Sequence, residues 1–155
     1  MEPVTYESID TENKVKYEGD GSDLQAFVSN NAGKTIYIPE GKYIVPVRLE
    51  IDSDNTSIQG AGIFYTELFF SAELNNSDYW KRGFGCSKSN VSVSVKDLYV
   101  NTILNQRYYK RDVRKQPGKG FNGSFGTNSV ISNVLVQHFE CGAWMCNNNS
   151  VLTTR

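Results

Sequence analysis

Two clusters of side chains in this sequence have the types and spacing that chemistry requires. The first lies in an insertion at residues 103–121, where six basic residues surround a single acid, Asp112, and a tyrosine pair, Tyr108 and Tyr109, follows Arg107. Aromatic faces stack on sugar rings, while Arg, Asn and Gln side chains donate hydrogen bonds to sugar hydroxyls. The insertion therefore suits a carbohydrate, although it also fits a single nucleic-acid strand, and a solvated basic loop explains it equally well.

The second cluster lies at residues 137–144 and contains the only histidine of the chain. His138 and Glu140 are two positions apart, so on a β-strand they would point to the same face. Such a pair could transfer a proton or orient a substrate, and Trp144 could stack on a sugar. The structural alternatives are a histidine held beside a carboxylate for stability, and a tryptophan that is buried or lies at a rim.

The residues that polysaccharide hydrolysis would need are missing from both clusters. Hydrolysis usually takes two carboxylates, one acting as an acid and the other as a base or nucleophile. After residue 23 the sequence has no adjacent Asp pair and no Asp-Gly turn, and Asp97, Asp112 and Glu140 are isolated from one another. The cysteine spacing matches no zinc site. We therefore assign no catalytic residue, no metal ligand and no cofactor in this chain.

The composition excludes several classes of protein. The chain has 155 residues, 39% of them hydrophobic, which is enough for one domain with a buried core. Sixteen basic residues against seventeen acidic ones give a formal net charge of -1, which argues against a nucleic-acid partner held by a strong positive field. No apolar run has the length of a membrane span, so no membrane partner is expected. The first four residues lack the layout of a secretory signal, and we expect any export signal to lie outside this chain.

The three cysteines are an odd number, so at least one of Cys86, Cys141 and Cys146 is unpaired within the chain. They are interpreted as small buried hydrophobic residues of a sheet core. A disulfide between Cys141 and Cys146 across one turn is the alternative that the sequence leaves open.

The elements that must position these side chains are one short helix and many strands. The turn at residues 19–23 offers Ser22 or Asp23 as an N-cap, and the apolar stripe that follows it at helical spacing is Leu24, Phe27 and Val28. From Thr35 onward the pattern is that of strands separated by turns.

An internal repeat decides between the possible β folds. Three similar segments start at Ile58, Val95 and Ile131, so that successive starts are 37 and 36 residues apart, and each is preceded by an Asn: Asn55, Asn90 and Asn128. In each segment a Gly, Asp or Asn between aliphatic residues provides the bent backbone of a corner. Self-similar strands at a fixed period indicate a solenoid of stacked coils. An antiparallel sandwich is the competing interpretation, but no Asn-Gly or Asp-Gly hairpin joins neighbouring strands convincingly.

The predicted fold is accordingly all-β, a right-handed parallel β-helix with a short N-terminal helix that caps its core. We expect a polar lead-in or linker at residues 1–18, the coils at 19–146, and a polar tail at 147–155 where the chain is truncated.

Several segments resemble a known family. The motif TIYIPEGKY at 35–43, after a Gly-Asp-Gly turn, resembles the opening of pectate-lyase-like β-helix domains. More specific are IQGAG at 58–62 with YTEL at 65–68, LNQRYY at 104–109, KGFNGSFG at 119–126 and QHFECGAW at 137–144. In combination they look like the catalytic β-helix of glycoside hydrolase family 87, the α-1,3-glucanases and mycodextranases. The resemblance covers residues 19–146.

The resemblance implies inverting hydrolysis of α-1,3-linked glucan outside the cell, by aspartates of Asp-Gly and Asp-Asp motifs on coils after the one that holds His138. No position of this chain matches those motifs, so no catalytic residue is transferred and the aspartates are expected beyond residue 155. The leading hypothesis is part of a secreted α-glucan-degrading enzyme, monomeric at full length, with an α-glucan as its partner. Its substrate-binding residues would be Arg107, Tyr108, Tyr109, Asp112, His138, Glu140 and Trp144.

Two other classes of function stay open. One is a non-catalytic, carbohydrate-binding or adhesive β-helix. The other is a lyase or epimerase that acts on uronic-acid polysaccharides on the same scaffold, because an acidic substrate would suit the basic insertion.

Overall fold

The computed structural model describes residues 2–72, 82–88, 91–103, 118–145 and 153–154, and most of their regular structure is β. All of the described strand pairs are parallel. No helix in these ranges is long and apolar enough to cross a membrane. The elements in chain order are β1 (Lys14–Lys16), α1 (Leu24–Asn30), β2 (Thr35–Ile38), β3 (Gly41–Val45), β4 (Leu49–Glu50), β5 (Thr56–Gly60), β6 (Thr66–Phe70), β7 (Phe84–Cys86), β8 (Val93–Asn101), β9 (Lys119–Gly123), β10 (Val130–Val136), β11 (Cys141–Met145) and β12 (Thr153–Thr154).

The strands form two curled parallel sheets. The first sheet has the order β1-β2-β5-β8-β10-β12, and the long strand β8 also pairs through its second half with β6, which in turn pairs with β3. The second sheet has the order β11-β9-β7-β4. From β2 onward the chain passes back and forth between the two sheets, with the pairs β2–β3 and β5–β6 both in the first sheet, and each return to a sheet adds a strand beside an earlier one. The antiparallel sandwich is therefore wrong, because its neighbouring strands would run in opposite directions.

The predicted repeat is confirmed by the register. Ile58 lies opposite Val95, and Val95 lies opposite Ile131. The column extends in the other direction to Ile36, which pairs with Ile58. Ile36, Ile58 and Val95 are fully buried, and Ile131 is half-buried against the same core. The repeated aliphatic residues thus stack one above another and form the interior of the molecule.

The corners between these aliphatic residues use two different solutions. Asp97 and Asn133 have φ of 56° and 51°, in the left-handed region that the sequence predicts for a bend. Gly60, at the equivalent place in the first repeat, is not left-handed. A Cβ there would clash with the carbonyl oxygen of Asp97 and lie 2.8 Å from the Leu98 Cβ, so Gly60 is needed for space and not for its dihedral angles. The Asp97 carboxylate accepts hydrogen bonds from side-chain amides of both neighbouring strands, from Gln59 of β5 at 2.9 Å and from Asn133 of β10 at 2.7 Å.

The predicted helix is present, but its predicted cap is not. Leu24 and Val28 are buried, and Phe27 packs edge-on against Tyr17 with ring centroids 5.1 Å apart. Asp23 occupies the N-cap position without a side-chain capping hydrogen bond, because its carboxylate accepts the hydroxyl of Tyr17 instead.

Both ends of the chain contribute strands. Within the segment predicted as a lead-in, β1 pairs with β2, and Tyr6 and Ile9 pack with Tyr37 in a small second cluster. Within the segment predicted as a tail, β12 pairs with β10. The ladder of the first sheet therefore extends beyond residues 19–146 on both sides.

Candidate functional site

The predicted site residues fall into two groups. Arg107, Tyr108, Tyr109 and Asp112 lie outside the described residues, and their roles stay predictions. The other three predicted residues, His138, Glu140 and Trp144, are described.

The predicted pairing of His138 and Glu140 on one face of a strand is wrong. Residues 138–140 form a bend between β10 and β11. His138 has a left-handed backbone with φ of 63°, which breaks the alternation of a strand. Phe139, between them, is buried in the main core, while His138 is exposed. The histidine therefore takes its partners from another part of the first sheet.

The structure brings His138 into a row of polar side chains contributed by β3, β6, β8 and the bend after β10. The Lys42 ammonium lies 3.3 Å from Glu67 Oε1. The Asn101 amide donates to the same carboxylate oxygen at 2.7 Å, and Asn101 Oδ1 lies 2.6 Å from His138 Nδ1. We call Lys42, Glu67, Asn101 and His138 the polar row.

The parallel register explains why these residues meet. Lys42 of β3 lies opposite Glu67 of β6, and Asn101 of β8 lies opposite Phe69, two positions after Glu67. Inward-pointing neighbours, such as Tyr43, alternate with the row and are buried: Tyr43, Leu68 and Val100. Because side chains alternate along a strand, the row occupies the outer face of the first sheet.

The hydrogen-bond partners of Asn101 fix the tautomer of His138. A carboxylate only accepts, so the Asn101 amide nitrogen must face Glu67 and its oxygen must face the other way. That oxygen also accepts the backbone N–H of Thr102 at 2.9 Å. Because an amide oxygen cannot donate, the proton of the neutral imidazole lies on Nδ1 and is donated to Asn101. The exposed ring therefore presents Nε2 as an acceptor to a ligand.

The residues around the row are suited to a sugar. The Lys42 ammonium lies 4.7 Å from the centroid of the Phe69 ring, and the Tyr99 hydroxyl donates to Gln137 at 3.0 Å. Burial, with a smaller effect from the Glu67 charge, raises the pKa of Tyr99, so its hydroxyl keeps its proton at neutral pH. The face combines aromatic surface, one cation, one anion and an imidazole acceptor, and these are groups that hold sugar rings and hydroxyls.

Trp144 lies on the second sheet, where β11 pairs with β9 and Trp144 lies opposite Asn122. Its side chain is 57% exposed, and the Lys119 ammonium lies 4.2 Å from the ring centroid. The buried alternative is therefore wrong, while the stacking platform stays a prediction beside the alternative of a tryptophan at a rim.

The described ranges contain two free cysteine thiols but no grouped metal ligands. Among these residues no group of three or more His, Cys, Asp or Glu side chains could hold a metal ion. Cys86 is a buried free thiol, as the sequence predicts, whereas Cys141 is a half-buried free thiol. Cys146 lies outside the described residues.

Sequence reasoning missed Lys42, Glu67 and Asn101. The signal that could have found Asn101 is the repeat itself, extended past its aliphatic residues. Asn101 follows Val95 by six positions, and Gln137 follows Ile131 by six, which places His138 one residue further along. Lys42 and Glu67 carry no comparable signal, because their alignment depends on the register of β3 with β6.

Comparisons with known proteins agree on one family. The family model described as "Alpha-1,3-glucanase catalytic domain D2" matches residues 16–154. A comparison with curated protein sequences finds no match.

Solved structures of similar fold cover nearly the whole chain. The Agl-KA catalytic domain has a TM-score of 0.67 at 26% identity, over 100% of this chain and 29% of that one. The catalytic domain of a GH87 α-1,3-glucanase in complex with nigerose has a TM-score of 0.68 at 25% identity, over 98% and 26%. The catalytic unit of a thermostable GH87 α-1,3-glucanase from Streptomyces thermodiastaticus has a TM-score of 0.65 at 22% identity, over 94% and 26%. This chain thus spans under a third of the structures that it resembles.

Proposed function

The chain belongs to the family of α-1,3-glucanase catalytic domains, and from that premise we propose that it is part of an enzyme that hydrolyses α-1,3-linked glucan. The observation that carries the proposal is the polar row beside aromatic surface on the outer face of the first sheet. Structural relatives in complex with nigerose and with tetrasaccharides support an oligosaccharide as ligand.

We propose that this chain contributes binding, and that the chemistry belongs to other coils. Glu67 accepts from both Lys42 and Asn101, so it serves to orient its neighbours. Inverting hydrolysis needs a second carboxylate roughly 6.5–9.5 Å from the first, with room for a water. The aspartates that supply this pair are proposed to lie on coils outside this chain, since the chain spans only 26–29% of its structural relatives.

The same proposal extends to architecture and location. In-register parallel strands that alternate between two sheets support a single right-handed parallel β-helix. A polymeric glucan is an extracellular substrate by the family resemblance, which supports a secreted protein that acts as a monomer.

The polar row is proposed to hold the glucan through its hydroxyl groups. Nε2 of His138 accepts one hydroxyl proton, and Lys42 donates to a hydroxyl oxygen. Phe69 and Tyr99 provide apolar contact for the ring faces, and Trp144 provides a stacking platform on the second sheet. Each hydrogen bond made in this way contributes on the order of 1 kcal/mol.

A pull-down on insoluble α-1,3-glucan tests the binding. The chain is expected to be retained and to be released by nigerose. His138→Ala and Lys42→Ala are each expected to weaken retention by about fivefold to tenfold. Lys88→Ala is the matched control, because Lys88 is an exposed lysine that follows β7 of the second sheet, whereas the row lies on the first sheet. Equal retention of all three variants would remove the row from the binding surface.

Two further assays test the class of polysaccharide and whether this chain binds without catalysing hydrolysis. Stronger retention on polygalacturonate or alginate than on α-glucan would favour the lyase or epimerase alternative. Retention on α-glucan without hydrolysis by a version extended by several coils would favour a non-catalytic binding protein. The 155-residue chain alone is expected to release no reducing sugar, and robust turnover by it would contradict the proposal that the aspartates lie elsewhere.

A further inference from the structure

A buried arginine lies at the end of the strands that carry the polar row. Arg82 is only 3% exposed. Its Nε and Nη2 both donate to the carbonyl oxygen of Ala72, the former at 2.7 Å, and its Nη1 donates to Thr102 Oγ1 at 3.1 Å. Withdrawing a guanidinium from water costs several kcal/mol unless its partners compensate. In the described part of the chain its partners are a carbonyl and a hydroxyl, both uncharged. Burying this arginine therefore costs stability, which points to a function of the contacts that it makes.

The position of Arg82 connects two strand ends. Ala72 follows β6 and Thr102 follows β8. The Thr102 hydroxyl accepts from Arg82 and donates in turn to the carbonyl of Phe70, the last residue of β6, at 2.7 Å. Three hydrogen bonds from one planar group therefore fix the place where both strands end.

Thr102 also belongs to the support of the polar row. Its backbone N–H donates to Asn101 Oδ1, the same oxygen that accepts the proton of His138 Nδ1. A shift of Thr102 would turn the Asn101 amide and release the imidazole. In a solvated histidine the proton is found mainly on Nε2, so a released ring would lose the Nε2 acceptor.

We propose that Arg82 is a positioning residue for the glucan-binding face, because it holds Thr102 and thereby Asn101 and the Nδ1–H tautomer of His138. This inference rests on the proposed function only for the identity of the ligand as a glucan. The arrangement of the four residues can be tested without a ligand.

The single histidine of the chain makes the test direct. A long-range ¹H–¹⁵N spectrum of the imidazole, recorded in mildly alkaline buffer, reports which ring nitrogen carries the proton. The full chain is expected to show the Nδ1–H form. Arg82→Gln is expected to move a large part of the population to the Nε2–H form, and Arg82→Lys a smaller part. Retention on α-1,3-glucan is expected to fall about fivefold in Arg82→Gln.

Arg48→Gln is the matched control. Arg48 is also a largely buried arginine that donates to a backbone carbonyl, that of Asn122 at 2.9 Å, but it directly precedes β4 of the second sheet and also pairs with Glu50. Its loss is expected to destabilise the fold without changing the imidazole spectrum. If Arg82→Gln fails to fold, Thr102→Val removes the same acceptor hydroxyl in a residue of equal shape, and the same tautomer shift is expected.

The outcomes separate the two proposals. A tautomer shift in the Arg82 or Thr102 variants with no glucan binding by the unaltered chain supports the positioning role and overturns the proposed function. An imidazole spectrum unchanged in these variants, or changed equally by Arg48→Gln, overturns the positioning role whatever the glucan assay shows.

Discussion

Tyr17 links the helix to the first sheet, and its hydroxyl should make the stability of the protein depend on alkaline pH. The side chain is 1% exposed, and its ring packs against Phe27 and Tyr43 at centroid distances of 5.1 and 5.8 Å. The hydroxyl donates to the Asp23 carboxylate and accepts the Gly21 N–H at 2.9 Å. Burial, and after it the hydrogen bond to Asp23, raises the pKa of Tyr17 to about 12.

The sign of the effect follows from which state loses its proton first. In the unfolded chain a tyrosine titrates near 10, so the folded state holds the proton more tightly by about two pKa units. Below pH ~10 both states are neutral and the stabilisation is fully present. Between pH ~10 and ~12 the unfolded state is deprotonated first, and the free energy of unfolding falls by about 1.4 kcal/mol per pH unit. The total loss is roughly 3 kcal/mol at pH 12.

Urea unfolding followed by circular dichroism, at a series of pH values from 8 to about 11, measures this dependence. Burial also raises the pKa of three other tyrosines, Tyr37, Tyr43 and Tyr99, so the comparison with Tyr17→Phe isolates Tyr17. The variant is expected to be less stable at pH 8, by about 1–2 kcal/mol for the lost hydrogen bonds. This gap should shrink by about 1.4 kcal/mol by pH 11. A gap that stays constant over this range would show that the Tyr17 hydroxyl titrates normally, and would refute the reasoning.

Three further predictions concern the corners and the thiols. Gly60→Ala is expected to lower the free energy of unfolding by about 1–3 kcal/mol, because its Cβ meets the Asp97 backbone, while Gly142→Ala, where nothing lies within 4 Å, should stay within about 0.5 kcal/mol in the same urea assay. Asp97→Ala should cost about 3 kcal/mol, since it loses two amide partners and leaves alanine at positive φ. Asp97→Asn should lower the free energy of unfolding clearly less, because Asn tolerates positive φ. Equal losses in the two variants would contradict a contribution from backbone strain. Burial raises the pKa of Cys86, so labelling with a thiol reagent should be much slower at Cys86 than at the half-buried Cys141. The single Cys→Ser variants show which cysteine gives each kinetic phase of labelling. Loss of a fast phase in Cys86→Ser would contradict the burial of Cys86.

The stacking of the parallel strands could be predicted from the sequence, because it depends on a pattern that repeats along the chain. The aliphatic residues at Ile58, Val95 and Ile131 need only the right spacing and a bend between them. Stacking these residues in one column also buries their apolar surface, so the arrangement that the sequence repeat predicts is the one that the hydrophobic effect favours. The helix stripe was predictable for the same reason.

The errors arose where a side chain had two possible partners or the backbone departed from a regular strand. Asp23 is a good N-cap by type, but it accepts the Tyr17 hydroxyl, which lies six residues earlier and is buried beside it. His138 and Glu140 have strand spacing, but the left-handed backbone of His138 turns the chain into a bend. Neither the competing acceptor nor the dihedral angle can be read from residue types alone.

The polar row could not be predicted because each of its contacts joins residues that are far apart in the sequence and belong to different strands or to the bend after β10. Lys42 and Glu67 are 25 residues apart, and Glu67 and Asn101 are 34 apart. The lengths of the intervening turns decide whether such residues meet, and a shift of one position would move each of them to the inner face.

The same in-register stacking that builds the core also decides what the outer face can be. Parallel pairing places equivalent outward side chains about 4.8 Å apart, so a row of identical charges would repel along the whole stack. In the polar row a cation, an anion and an amide follow one another, and the only acid lies between two donors. Each member thereby limits the orientation of the next, Asn101 is buried, and the two ends of the row, Lys42 and His138, are exposed. The order of residue types along the row, and not their number, is therefore what fixes Nε2 of His138 as an acceptor at the surface.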